Sequence, residues 1–352
     1  MTFKEAVTII EEPDKQSMEL ASRHWDEVAK PLNSLGVLEE DIVRIAGAQK
    51  APLPSLQNKW IAVMCSDNGI VEEGVTQTGQ EVTAIVAKNM AVGKSCVCRM
   101  AACAGARVFP VDVGIAGSER VEGLLDRKVA AGTGNFLKGP AMSRAQAYRA
   151  LDIGVEVAGI LKEMGCCLAG SGEMGIGNTT TSSAVISVLL QKAPEEVTGR
   201  GAGLDSRGYK RKVQVIKEAL AQLKPEIDDP VDVLSKVGGF DLAALTGFYI
   251  GCGAYRIPAV LDGLITGAAA LAAVRLCPKV QGYLLASHVS AEPAGAMVLE
   301  ALGLRPAIQA GLCLGEGTGA AALFPLLDMA LAIYRDMGSF SDIKVQQYEH
   351  LM

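Results

Sequence analysis

CCLAGSGEMGIGNTTTSSA, residues 166–184, decides how the rest of this chain is read. Cys166 to Ala169 reads as the end of a buried strand. Gly170, Gly172, Gly175 and Gly177 follow with a single acid, Glu173, among them; then come Asn178, Thr179, Thr180 and Thr181. Ala184 to Leu190 has the apolar density of a buried helix. In a strand, glycine turn and hydroxyl-led helix, backbone N–H groups can approach a phosphate where no Cβ intervenes, and the helix N-terminus adds partial positive charge. An ordinary strand-to-helix turn has the same outline, so both readings stand at this point. The lysine that a P-loop places before Ser/Thr is missing, which excludes that ATPase motif. Gly175-Ile176-Gly177 runs into Asn178-Thr179-Thr180 with no third glycine, which excludes the dinucleotide fingerprint.

Working outward, buried strands are predicted at Trp60–Cys65, Arg107–Val113, Ile257–Gly263 and Gly282–Ser287. Helical spacing is predicted over residues 1–30 with a break at Pro13, and over Leu38–Ala48, Val82–Ala104, Ser143–Met164 and Ala320–Tyr334. Ser143 is a good N-cap for the fourth of these. Two more helices are expected: one around Asp241, and one bearing Arg207, Lys210, Arg211 and Lys212 after the glycine-rich loop 199–205. The basic run is either a solvated face or the source of one cation for a phosphate. Strands alternating with helices predict an α/β fold, a mostly parallel sheet covered on both faces. Ligands of such sheets gather beyond the carboxyl ends of the strands, so Asp67 is either a site residue or a turn cap. The 341–350 segment is expected to pack helically beside the N-terminal helices.

Composition narrows the classes. The 352 residues are 49% hydrophobic with 39 glycines and only 5% aromatics, a mixture suited to a tightly packed α/β enzyme. A formal charge of −6 and a pI near 5.3, with no basic stripe, argue against nucleic-acid binding. The charged start MTFKEAVTIIEEPDK is no signal-peptide core, and the longest apolar run, Leu264–Val274, is too short to span a bilayer. A cytoplasmic protein without membrane or nucleic-acid partners is expected. The nine cysteines show no C-x-x-C pair and the three histidines are far apart, so no metal site is expected and the thiols read as small buried hydrophobes.

A second glycine-rich stretch, Gly311-Leu312-Cys313-Leu314-Gly315-Glu316-Gly317-Thr318-Gly319, surrounds one carboxylate and leads into an apolar helix. Glycines on both sides expose Glu316 and let a ligand approach closely; a plain turn acid is the alternative.

Together, GSGEMGIGNTTTSSA (170–184) and LGEGTGAA (314–321) resemble the nicotinate-nucleotide:5,6-dimethylbenzimidazole phosphoribosyltransferase family. The resemblance continues through GVTQTGQEVTA (74–84), GTGNF (132–136), GRGAGLD (199–205), GGFDLAAL (238–245), IPAVLDG (257–263) and ASHVSAEP (286–293). It implies a Rossmann-like catalytic domain over residues 31–325 and a small helical domain built from 1–30 and 326–352. It also implies a homodimer that uses no metal or redox cofactor. The substrates would be nicotinate mononucleotide and an aromatic base. By motif match, Glu316 corresponds to the catalytic base. Gly175, Ile176, Gly177, Asn178, Thr179 and Thr180, with Gly315, correspond to the nucleotide and phosphate region, and Lys212 to its lysine. Glu173 corresponds to a second acid near the ribose and base, and Thr78, Gln80, Met174 and Leu314 to the acceptor pocket. The chain departs from the family pattern at Asn68, in the 76–79 loop and at Ala294-Gly295. Those departures bring in two alternatives: a subunit of a heterodimer that activates phenol or p-cresol, and a catalytically silent nucleotide-binding partner.

Overall fold

A computed structural model describes residues 1–117 and 120–350. The strands are β1 (Lys59–Ser66), β2 (Ala106–Gly114), β3 (Leu125–Asp126), β4 (Leu168–Met174), β5 (Ala259–Leu261), β6 (Leu284–His288) and β7 (Pro306–Ile308). They form one sheet in the order β3-β2-β1-β4-β5-β6-β7, and every pairing is parallel. The direction of winding reverses between β1 and β4. Doubly wound sheets bind ligands beyond the carboxyl ends of their strands.

All eight residues of β1 are buried, as expected for a strand covered on both faces. Successive side chains alternate. Trp60, Ala62 and Met64 enter one apolar core, with helices Arg144–Glu163, Asn178–Leu190, Phe240–Ala254 and Leu264–Leu276. Ile61, Val63 and Cys65 enter a second, with helices Val37–Gln49, Cys96–Cys103 and Thr318–Asp336. The α/β sheet with helices on both faces is therefore present as expected. Ser143 caps its helix, with Gln146 completing a reciprocal capping box.

Four expectations need correction. Gly170 and Gly172 lie inside β4 and not in the turn after it, because neighbouring elements leave no room for side chains there. A Cβ on Gly170 would come within 2.9 Å of Ala320 Cβ, and one on Gly172 within 2.3 Å of the Glu316 carbonyl oxygen. The helix predicted over Val82–Ala104 is two helices, Glu81–Ala91 and Cys96–Cys103. Gly93, at φ +70°, turns the chain out of the first, and Ser95 caps the second. The 341–350 segment approaches the N-terminal region but is not helical: after Asp336 the chain makes turns and then runs without regular structure. It is held by a Val28–Ser339 bridge, by Phe340 N–H donating to the Glu27 carbonyl at 3.0 Å, and by a 3.1 Å His350–Asp26 pair. Its last two residues, 351 and 352, lie outside the described residues. Finally, Cys96, Cys103 and Cys313 are exposed, so not all the thiols serve as buried hydrophobes.

The two chain ends meet. His24 and Trp25 stack edge-on against Tyr334, and His24 Nε2 bonds to the Tyr334 carbonyl. Helix Thr318–Asp336 runs unbroken across position 325/326. Among the described residues no helix is long and apolar enough to cross a membrane.

Candidate active site

The end of β4 and the loop before helix Thr318–Asp336 interlock. The Glu316 carbonyl rests on Gly172, while a Cβ on Gly315 would meet Glu173 Oε1 at 2.6 Å. Gly315 and Gly317 have φ of +88° and +96°, and Glu316 between them is also left-handed at +61°. A non-glycine residue in that region is strained, so the surroundings must hold it there. Asp262, just past β5, does so: its Oδ2 accepts from Gly317 N–H at 2.9 Å and its Oδ1 from Gly319 N–H at 2.6 Å. The Glu316 side chain is half-buried, and its Oε2 accepts the N–H of Val97 at 3.2 Å. That donor is in the first turn of helix Cys96–Cys103 and exists only because the predicted long helix breaks. One carboxylate oxygen is thereby tethered, and the side chain lines the cavity beside it.

The cavity measures about 250 Å³. Of the sequence-predicted residues it gathers Glu173, Met174, Gly175, Ile176, Asn178, Thr179, Leu314, Gly315 and Glu316. Glu173 is 7% exposed and Asp241 fully buried, and Asn178 Nδ2 donates to both carboxylates. Burial pushes Glu173 up to about 8 and Asp241 and Asp262 up to about 6. Gly177, at φ +94°, forms the cap of helix Asn178–Leu190.

Several predicted residues are engaged or placed otherwise than expected. The Ile176 N–H already donates to Thr83 Oγ1 at 3.1 Å, so it is not free for an anion. Thr180 is fully buried, does not line the cavity, and its hydroxyl has no partner. Lys212 does not belong to a solvated face: it is fully buried, and its Nζ donates to Thr179 Oγ1 at 2.9 Å. It reaches the cavity through that hydroxyl. Thr78 and Gln80 are not brought to the cavity with Met174 and Leu314. Gln77 binds the Gly203 carbonyl and Gln80 Nε2 donates to the Asn68 carbonyl at 3.1 Å. Helix Glu81–Ala91 contributes Val86 to the lining instead. Asp67 serves a turn, its Oδ2 accepting from Ala116 N–H at 2.7 Å.

Sequence reasoning left Asp262, His288, Ser290 and Glu292 out of the site, yet all four line the cavity. A signal was available: each follows or ends β5 or β6, the position that made Asp67 a candidate at β1.

The family model described as phosphoribosyltransferase matches residues 10–345. A nicotinate-nucleotide–dimethylbenzimidazole phosphoribosyltransferase of Ruminiclostridium cellulolyticum is 46% identical over 351 residues, covering 100% of both chains. One of the same name from Acetivibrio thermocellus is 44% identical over 95% of each. The crystal structure of CobT from Thermus thermophilus superimposes with a TM-score of 0.90 at 40% identity, covering 95% of this chain and 100% of that one. With the interlocked glycine loops and the cavity beyond β4, β5 and β6, these likenesses establish that the chain belongs to the nicotinate-nucleotide–dimethylbenzimidazole phosphoribosyltransferase family.

Proposed function

We propose that the chain transfers the 5-phosphoribosyl group of nicotinate mononucleotide to 5,6-dimethylbenzimidazole, releasing nicotinate and forming an α-ribazole phosphate. One observation supports this above others: a tethered, half-buried carboxylate, Glu316, shares a small cavity with the glycine turn and helix start at 175–179. The leaving pyridinium departs as a neutral ring when its C–N bond breaks, so it needs no general acid. The attacking benzimidazole nitrogen forms the new bond to C1′, and the N–H on the other ring nitrogen must lose its proton. Glu316 takes that proton. Attack from the opposite face inverts the β-riboside. No step asks for a metal or redox cofactor.

In this reading the donor phosphate lies at the 175–179 turn, against Gly175 and Thr179, while Asn178 holds Glu173 and Asp241. Because Lys212 donates to Thr179 Oγ1, the threonine hydroxyl proton is turned outward as a donor. Phosphate binding then fixes the ribose, so contacts remote from C1′ orient the reacting carbon. Met174, Val86 and Leu314 offer apolar wall to the acceptor. The relatives speak for dimethylbenzimidazole as acceptor and not for the phenol-activating or silent-subunit alternatives. A cytoplasmic dimer, with residues 1–30 and the chain from 326 onward, helical as far as Asp336, forming the small domain, completes the proposal.

The test is to incubate the purified chain with nicotinate mononucleotide and dimethylbenzimidazole and identify the products by mass spectrometry. Equal amounts of nicotinate and α-ribazole phosphate are expected. No riboside phosphate with any aromatic base would overturn the assignment.

A further inference from the structure

Glu292 stands beyond β6 on the wall between the main cavity and a second, more open one of about 460 Å³ bounded by Thr198, Arg200, Tyr209 and Pro293. Its Oε1 accepts the Gly201 N–H at 3.0 Å. Its Oε2 is buried without a hydrogen-bond partner. A carboxylate oxygen kept from water with nothing to donate to it costs free energy, so an opposite charge nearby is needed to offset it.

Lys212 is that charge. Its ammonium is fully buried, donates to Thr179 Oγ1, and among the described residues has no carboxylate within ion-pair distance. Gly201 lies between the two groups. Its N–H is on Glu292, and a Cβ placed on it would stand 3.4 Å from Lys212 Nζ and 2.8 Å from Thr179 Oγ1. Charges on the surrounding elements are engaged elsewhere. Arg211 pairs with Glu73, Lys217 with Glu195, Arg200 lies over the Tyr209 ring, and Glu173 binds Asn178. Burial pushes Lys212 down to about 8, and the negative charge of Glu292 opposes that shift.

We propose that Glu292 is a positioning residue for the donor phosphate. It clamps the Gly199–Gly201 loop against Thr179 and supplies the negative charge that keeps the buried Lys212 ammonium protonated until the phosphate arrives. The inference rests on the reading of the 175–179 turn as the phosphate site.

The test is steady-state kinetics of the whole chain and Glu292→Gln with two donors, nicotinate mononucleotide and nicotinate riboside, between about pH 6.5 and 8.5. Glutamine keeps an acceptor for the Gly201 N–H and removes only the charge. Without that charge Lys212 loses its proton at lower pH, and phosphate binding is lost as pH rises through that point. The expected result is a KM for the mononucleotide raised about 10-fold near pH 8 and less at pH 6.5, with kcat little changed. Riboside kinetics should not move, since that donor has no phosphate. Gly199→Ala supplies a second variant. Its Cβ would lie 1.6 Å from Glu292 Oε2, so the carboxylate must swing away, and the mononucleotide KM should rise again. Wild-type chain that prefers the mononucleotide while Glu292→Gln keeps or lowers its KM at every pH would overturn the inference alone. Wild-type chain that uses both donors equally would overturn the phosphate reading, and this inference with it.

Discussion

Glu173 and Glu316 are the same residue type, each set among glycines, and each at the cavity. Their environments differ. Glu173 closes a strand, is nearly sealed from solvent and shares Asn178 with Asp241. Glu316 stands on a left-handed turn, half-buried, with one oxygen on the Val97 N–H. Burial without a cation pushes the first toward its neutral form, to about 8. The second has a backbone donor on one oxygen and lines the cavity. The pair shows that flanking glycines say little about a carboxylate's role; what packs against it decides.

Breaking Glu316 should have the largest effect. Glu316→Gln is expected to keep nucleotide binding and lower kcat by roughly 10²–10⁴-fold, the usual share of a general base. Turnover near wild type with dimethylbenzimidazole would move the base elsewhere. Next comes the phosphate. Lys212→Met removes a charge-assisted contact worth about 1.5–3 kcal/mol and should lower kcat/KM for the mononucleotide accordingly, with little effect on the riboside.

Glu173 sharpens the contrast through stability. The folded-state values of Glu173, Asp241 and Asp262 are raised, to about 8, 6 and 6, so the folded chain holds protons that the unfolded chain has released. Stability from these groups is present at low pH and falls as pH rises from about 4 toward 8. Glu173→Gln should therefore melt higher than wild type at pH 8, with the difference shrinking toward pH 5. Melting curves that stay parallel across that range would mean Glu173 is charged in the folded state. The smallest effect is expected at the tether. Ser95→Ala removes the cap of helix Cys96–Cys103 and costs about 0.5–2 kcal/mol of stability, with kcat reduced only a few-fold as the Val97 donor loosens. A large loss of kcat with unchanged melting would show that the helix end does more than hold Glu316.

Sequence alone was enough for the α/β class and the main strands, while the grouping of 173–179 with 314–316 came from the resemblance of their motifs to a family. These are local signals: apolar runs of strand length, helical spacing, caps such as Ser143, and glycines where a ligand or another backbone comes close. The tertiary structure decided the rest, because it depends on approach between segments distant in sequence. Gly170 and Gly172 belong to a strand since Ala320 and the Glu316 carbonyl press on them. The break at Gly93 did have local signals, a glycine and the capping Ser95, but nothing local shows that it brings the Val97 N–H to Glu316, 219 residues away. The 76–80 loop meets Gly203 and Asn68, contacts that no local pattern reveals. Lys212 was one cation in a basic run until its helix packed and left it as a fully buried ammonium behind Thr179. Spacing along the chain reports which face a residue shares; only packing sets which atoms meet across it, and with them charge and burial.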